Sequence, residues 1–189
     1  MLVYFPEPYR DELLYSLLAR YHRHVGSSSP KQTLDDLFGS RGVIARLDLQ
    51  GSLGLLSTHL PPGWGMGPER LAVDYTLFPY YLAFQPAGVR KRVLRALIGG
   101  SLAGLHLLLG LASAASRVRQ LRFCPECVLE MERTHGEPYW RRTHQLPGAL
   151  LCPDHGVILR SSGIPSALGN RHAFIAATSA NCGHLEKPR

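Results

Sequence analysis

Three of the four cysteines in this chain stand in two short clusters, which constrain its fold more than any other feature. The first cluster is Cys124-Pro-Glu-Cys127 and the second is Cys152-Pro-Asp-His155. A Cys-x-x-Cys turn presents two thiolates from one bend, and zinc takes four such donors in a tetrahedron. Proline occupies the second position of both clusters, so the second repeats the first. The spacing predicts a closed Cys3His zinc site.

Two other chemistries stay open for these cysteines. A Cys-x-x-Cys pair also occurs in redox disulfides, but no thioredoxin-like strand-helix-strand pattern surrounds Cys124 and Cys127. A cysteine nucleophile needs one free thiolate beside a general base, whereas these thiols come as a set. Residues 1–12 lack a signal-peptide pattern, which predicts a reducing, cytoplasmic location where such clusters are more often metal ligands.

The sequence predicts one structural zinc ion rather than a catalytic one, because four protein donors leave no position for a reacting water. His135 and His144 lie between the clusters and are not assigned as ligands, since loop histidines are more often solvated. Cys182 and His184, with His172 upstream, could belong to a second site. They lack a partner knuckle within the chain, so a second zinc is doubtful.

Residues 1–120 have the pattern of short helices separated by Gly and Ser turns. The run "SSSPKQTLDDLFG" has Ser29 as N-cap, Pro30 at the first helical position and Gly39 just past the end. The first helix of the chain should carry the acids Asp11 and Glu12 in its first turn. The other predicted helices are 10–26, 52–60, 68–84 and 86–97.

The predicted fold is mainly α. A helical domain at 1–120 has helix-turn-helix character within residues 12–60, although a plain helical bundle fits that segment equally well. A small zinc-ribbon-like Cys3His module follows at 121–160, where no long periodic run is visible. Residues 161–189 form an irregular tail or the start of a further, truncated module.

One stretch, residues 96–115, contains no charged side chain and even holds a G-x-x-x-G spacing between Gly100 and Gly104. Such a stretch is long enough for a membrane helix. However, Gly99, Gly100 and Ser101 make a natural break and both flanks are basic. The sequence therefore favours a buried helix after a break and no membrane span.

The chain is basic, with a formal charge of +7, and 18 of its 21 basic residues are arginine. Guanidinium groups pair bidentately with phosphate, so this bias is compatible with a nucleic-acid partner, although a solvated basic surface gives the same composition. Phosphate contacts would position DNA without reading its sequence. The candidate contacts are Arg90, Lys91, Arg92, Arg95, Arg117, Arg119, Arg122, Arg141 and Arg142.

Four stretches in order resemble the TnsD/TniQ family of transposon target-selection proteins. They are "YFPEPYRDELLYSLLAR", "SPKQTLDDLFG", "GLHLLLGLASAASRVRQLRFCPEC" and "EPYWRRTHQLPGALLCPDHG". The likeness covers nearly all of residues 3–160. It is specific because the N-terminal F-P-x-P-Y-x-x-E-L pattern is combined with the zinc knuckles at the expected distance.

The resemblance implies a non-enzymatic adaptor with an N-terminal helix-turn-helix region and zinc-ribbon-like modules. Such proteins bind attachment-site DNA or join an RNA-guided effector complex, as in CRISPR-associated transposons. They recruit an AAA+ ATPase regulator (TnsC-like), which then brings in the transposase. Carried over by position, the zinc ligands are Cys124, Cys127, Cys152 and His155.

Longer relatives continue beyond the point where this sequence stops, so it is expected to be a short adaptor or the N-terminal part of a longer protein. Ser179 stands where a second zinc module would need a cysteine paired with Cys182. The alternative function is a zinc-containing DNA-binding transcriptional regulator, which would bind a palindromic operator as a dimer.

Overall fold

Six helices occupy the first half of the chain, close to the positions predicted from sequence. A computed structural model describes residues 1–61, 63–101, 104, 105, 109, 120–166 and 169–183. The predicted helix at 68–84 is divided in two, because the Thr76 hydroxyl donates to the Ala72 carbonyl and accepts from the Phe78 N–H. The helices are α1 (Leu14–His24), α2 (Pro30–Phe38), α3 (Leu53–His59), α4 (Pro68–Tyr75), α5 (Phe78–Tyr81) and α6 (Ala87–Gly99).

Helix α2 confirms the predicted capping signals at both ends. The Ser29 hydroxyl accepts a hydrogen bond from the Gln32 N–H at 3.3 Å, and Pro30 is the first helical residue. Gly39 ends the helix in the left-handed region, with φ of 61°. A side chain there would be strained, which is why glycine is the favoured residue at this position.

Helix α1 begins later than predicted, and the two acids lie before it rather than in its first turn. Asp11 is left-handed, with φ of 57°, and Glu12 forms an isolated antiparallel bridge with Arg141. The Glu12 carboxylate accepts the Tyr9 N–H at 3.0 Å and the Ser16 hydroxyl at 2.8 Å. These acids therefore form tertiary contacts and do not stabilise the N-terminus of α1 through the helix dipole.

The second half of the chain is built on a two-stranded antiparallel sheet. Strand β1 (Gln120–Phe123) pairs with strand β2 (Arg160–Pro165). Their register sets Arg122 opposite Ser161 and Phe123 opposite Arg160, with an irregularity between Gln120 and Arg122. A 3-10 turn at Thr143–Gln145 lies between the strands in sequence. The elements are β1 (Gln120–Phe123), α7 (Pro125–His135), β2 (Arg160–Pro165) and α8 (Ser179–Cys182).

Helix α7 is an 11-residue helix in the region where no long periodic run was visible. Proline opens it and Gly136, with φ of 73°, closes it in the left-handed region. Its buried residues are Cys127, Val128 and Met131. One of these three is a cysteine, so the apolar pattern was too short to indicate a helix from sequence.

The main hydrophobic core contains residues from both halves of the chain. Fully buried leucines of α1, α2 and α3 pack in one cluster with Trp140 and Phe174. The Trp140 indole N–H donates to the Ile175 carbonyl at 2.8 Å, and the Ile175 N–H donates to the Tyr15 hydroxyl at 3.0 Å. Residues 169–183 are thereby tied to α1, while the three-part domain division stays a prediction.

The predicted break after α6 is confirmed, because Gly100 caps that helix with φ of 82°. Most of the uncharged stretch that follows lies outside the described residues, as does His106. No helix among the described residues is long and apolar enough to span a membrane. The mainly helical fold is confirmed, whereas the helix-turn-helix and zinc-ribbon character stay predictions.

Candidate metal centre

The local structure explains how the two clusters present their donors. Cys124 follows β1 directly and is the N-cap of α7, so that Cys127 falls in the first turn of the same helix. Cys152 follows an isolated bridge between Leu151 and Ile158, and His155 lies in the turn enclosed by that bridge. Each cluster therefore projects two donors from one tight bend.

The four predicted donors converge. The Sγ atoms of Cys124, Cys127 and Cys152 and a ring nitrogen of His155 all lie within 4.8 Å of one another. His155 Nδ1 is 3.6 Å from Cys124 Sγ, 3.3 Å from Cys127 Sγ and 3.6 Å from Cys152 Sγ. The Sγ atoms of Cys127 and Cys152 are 3.6 Å apart.

This geometry fits a tetrahedral metal ion. Zinc bonds of about 2.3 Å to sulfur and about 2.0–2.1 Å to nitrogen place the donors roughly 3.5–3.8 Å apart. The cysteines are buried and His155 is partly buried, so the group could hold a metal ion away from bulk water. Bound there, zinc would supply cross-linking rather than reaction chemistry, because all four positions are taken by protein.

The protonation of the thiols differs across the group. Burial raises the pKa of Cys124 and of Cys127, which favours the neutral thiol. At Cys152 burial acts in the same direction, but hydrogen bonds from His155 and from the Asp154 backbone lower the pKa to about 7. Cys152 is thus the cysteine most readily deprotonated when a metal ion arrives.

A second layer of contacts surrounds the donors. His155 Nε2 lies 3.2 Å from Glu130 Oε1, so the carboxylate can orient the imidazole with Nδ1 toward the thiols. Met131, Tyr139 and Leu159 are buried in a small cluster with the three cysteines. This apolar layer is separate from the main core and limits the access of water to the centre.

The rival readings of the cysteines find less support. All four cysteines are free thiols, and the 3.6 Å between Cys127 and Cys152 is far beyond a disulfide bond of about 2.05 Å. The imidazole nearest the thiols is His155, which is held among all three instead of serving one of them. The arrangement is that of a ligand set.

The residues left outside the predicted ligand set make other contacts, and the expectation that His144 is solvated was wrong. His144 is buried and its Nε2 lies 4.0 Å from Cys127 Sγ, whereas His135 stacks on Tyr9 with ring centroids 4.0 Å apart. Burial raises the pKa of Cys182 to about 12. His172 bonds the Val43 carbonyl through Nδ1 at 2.8 Å. His184 falls outside the described residues, within which the Cys3His group is the one cluster of His, Cys, Asp or Glu side chains placed to hold a metal ion.

Four of the predicted DNA contacts share one helix. Arg90, Lys91, Arg92 and Arg95 are all exposed on α6. Lys91, Arg92 and Arg95 lie opposite the buried Val93 and Leu97, whereas Arg90 lies beside that buried face. Within the described part of the chain, none of these four cations forms an ion pair or a side-chain hydrogen bond. Helix α6 therefore presents a basic face that has no acidic partner among the described residues.

The remaining predicted contacts differ from those of α6. Arg122 is half-buried and donates to the carbonyls of Ala149 and Leu146 at 2.5 and 2.6 Å. Arg142 donates to the Val73 carbonyl at 2.8 Å. Arg117 and Arg119 lie outside the described residues.

The structure corrects the expectation for Arg141, whose side chain is 7% exposed. It forms ion pairs with Asp11 and Asp154 inside the protein. Its guanidinium is thus engaged and cannot reach a phosphate in this conformation. No local pattern indicated these ion pairs, because Asp11 and Asp154 lie at other points along the chain.

A buried ionic network was missed from the sequence. The Arg20 guanidinium donates to Glu12 at 2.8 Å and to Glu137 at 2.7 Å, and all three residues are buried. Arg20 also lies over the Tyr9 ring, 3.8 Å from its centroid. Burial raises the pKa of Glu12 to about 7, against the opposing charge of Arg20. The available signal was the position of Arg20 on the apolar face of α1, one turn after Ser16.

Comparison with known proteins finds two matches. The family model described as TniQ matches residues 3–159. A protein described as "Transposon Tn7 transposition protein TnsD", from Escherichia coli, is 38% identical over 158 residues. The alignment covers 82% of this chain and 31% of that protein, so the chain spans less than a third of the length of this relative. The matched family region includes the Cys3His group and α6.

Proposed function

Because the chain belongs to the TniQ family, we propose that it selects target sites for DNA transposition. The observation that carries this proposal is the family match over residues 3–159, supported by the identity to a Tn7 transposition protein. The proposed role is that of an adaptor and not of an enzyme. No residue of the described chain is assigned a catalytic task in it.

The adaptor would join two kinds of partner. On one side stands target DNA, contacted directly or through an RNA-guided DNA-binding complex. On the other stands an AAA+ ATPase regulator of transposition (TnsC-like), which would recruit the transposase. The converged Cys3His group supports a structural part in this role, since one zinc ion would fix the fold around it.

The basic face of α6 is the surface we propose for DNA. Lys91, Arg92 and Arg95 are exposed on one face of this helix without acidic partners among the described residues, and Arg90 lies at the edge of that face. Each such cation that meets a phosphate releases condensed counterions, which drives binding and makes it salt-dependent. Arg142 contributes less to this surface, because it already bonds the Val73 carbonyl and lies 3.5 Å from Asp11. Arg117 and Arg119 are proposed as further phosphate contacts, and Arg122 as a weaker one because it already bonds two backbone carbonyls.

Replacing Lys91, Arg92 and Arg95 together by glutamine tests this surface. If all three meet phosphates, the slope of log K against log salt should fall by about 2–3 and duplex DNA binding should weaken. Fluorescence anisotropy with a labelled duplex at several salt concentrations measures both quantities. The fold should be unaffected because the three side chains are exposed.

The matched control is Arg70→Gln, which also removes an exposed helical cation but one that is paired with Asp74. It should leave the salt slope unchanged. An unchanged slope in the triple variant, with the same circular dichroism as the wild type, would contradict the assignment of α6 to DNA.

A further inference from the structure

Arg141 lies against the metal centre instead of on the surface. Its Nη1 donates to Cys127 Sγ at 3.3 Å and also to Asp154 Oδ2. Among the described residues it is the one cation whose hydrogen bond reaches a ligand sulfur. Since the residue is only 6% exposed, water cannot replace this bond without local opening.

The charge of the centre explains what such a cation does. Three thiolates, one neutral imidazole and Zn²⁺ sum to a net charge of −1, and burying a net charge without a counter-charge is costly. His144 also faces Cys127, but its Nε2 lies 4.0 Å from Cys127 Sγ, farther than the 3.3 Å of the Arg141 bond. Asp11, Asp154 and Glu130 are the acids around the centre, which makes a cation there more necessary.

Arg141 also joins three separate parts of the chain. Asp154 stands between the ligands Cys152 and His155, so its ion pair links the second cluster to Cys127 in the first. Arg141 Nε lies 3.4 Å from Asp11, in the segment before α1. Backbone bonds reinforce this junction, with the Arg142 N–H donating to the Asp11 carbonyl at 2.8 Å.

We propose that Arg141 is a positioning residue of the metal centre, balancing its negative charge and holding Cys127 as a ligand. It also couples the centre to the segment that leads into α1. The inference rests on the proposed zinc ion but not on the proposed role in transposition. It replaces the expectation that Arg141 contacts DNA.

The test compares Arg141→Met with Arg142→Met, a neighbouring arginine that contacts Asp11 but no ligand sulfur. Zinc release from the loaded full chain to an excess of chelator is followed with a metal-sensitive dye. Loss of an outer contact typically costs 10–100-fold in metal affinity, so release from Arg141→Met should be at least about 10-fold faster. Arg142→Met should release zinc at the wild-type rate, and Arg141→Lys should recover part of the loss.

A second readout separates positioning from general stability. An N–H···S bond lowers the reactivity of a thiolate, so Cys127 in zinc-loaded Arg141→Met should be alkylated by iodoacetamide faster than in the wild type. Cys124, which Arg141 does not contact, should change less. Cys-resolved mass spectrometry gives both rates in one sample. If Arg141→Met does not fold, Arg141→Lys is compared with the wild type instead, and faster zinc release and faster Cys127 alkylation are expected because lysine keeps the charge but not the bonding geometry.

Equal zinc release and equal Cys127 alkylation in the Arg141 and Arg142 variants would overturn the proposal. A wild-type chain that retains no zinc would overturn both this inference and the proposed zinc ion. A wild type with about one zinc per chain and an unaffected Arg141→Met variant would overturn the inference alone.

Discussion

Replacing Cys152 by serine is expected to remove the metal ion and unfold the segment around it. Structural zinc contributes on the order of 10 kcal/mol in small modules, comparable with the about 5–15 kcal/mol that holds a whole domain together. The small apolar cluster around the centre cannot replace it, because three of its six buried members are the ligands themselves. Zinc content should fall from about one ion per chain to near zero.

Amide hydrogen exchange shows which part of the Cys152→Ser chain has lost its structure. The Cys152 N–H donates to the Val157 carbonyl at 2.8 Å, and the Leu159 N–H donates to the Leu150 carbonyl at 2.9 Å. Both amides should lose protection in Cys152→Ser and after chelation of the wild type. Amides of α2 and α3 should keep theirs, since these helices pack in the main core.

Cys182→Ala is the matched control, because it removes another buried cysteine that lies outside the ligand set. It should retain full zinc content and protection around Cys152. Full zinc content in Cys152→Ser, or its loss in Cys182→Ala, would contradict the assignment of the four ligands.

Replacing Arg20 by methionine is expected to destabilise the chain by about 3–5 kcal/mol, because it leaves the buried Glu12 carboxylate without its cation and weakens the pairing of Glu137. Glu12 is fully buried and Glu137 is 7% exposed, so neither can recover its solvation. Urea unfolding followed by circular dichroism measures the change as a shift of the midpoint at constant slope.

Arg23→Met is the control for this prediction, since Arg23 lies on the same helix and pairs with the same Glu137. Its side chain is 38% exposed, so its loss should cost at most about 1 kcal/mol. Adding Glu12→Gln to Arg20→Met should recover part of the loss, because the buried carboxylate left without a cation is then replaced by a neutral amide. Equal losses in the Arg20 and Arg23 variants would contradict the account of the network.

Features encoded by short local spacing were predictable from sequence. The two clusters predicted which four donors converge, because each pair of donors comes from one bend of four residues. Ser29, Pro30 and Gly39 fixed the bounds of α2 for the same reason, since capping depends on residues within one turn. The break at Gly100 was local as well.

Features that depend on distant partners were not predictable. Arg141 looks like any other arginine of the chain until the fold brings Asp11 to it from 130 positions away. Arg20 meets Glu137 across 117 positions, so its burial follows from tertiary structure alone. Helix α7 was not predicted because Cys127 stands on its buried face, where an apolar residue would have shown the helical period.

The most direct test of the proposed adaptor role is a pull-down of this chain with a TnsC-like AAA+ ATPase. The experiment is run with ATP, with and without duplex DNA, using zinc-loaded protein. Retention of the ATPase is the predicted result, with DNA increasing the amount retained. If the ATPase is not retained in any condition while DNA alone is held tightly at a palindromic site, the adaptor account is contradicted and a zinc-containing transcriptional regulator becomes the better description.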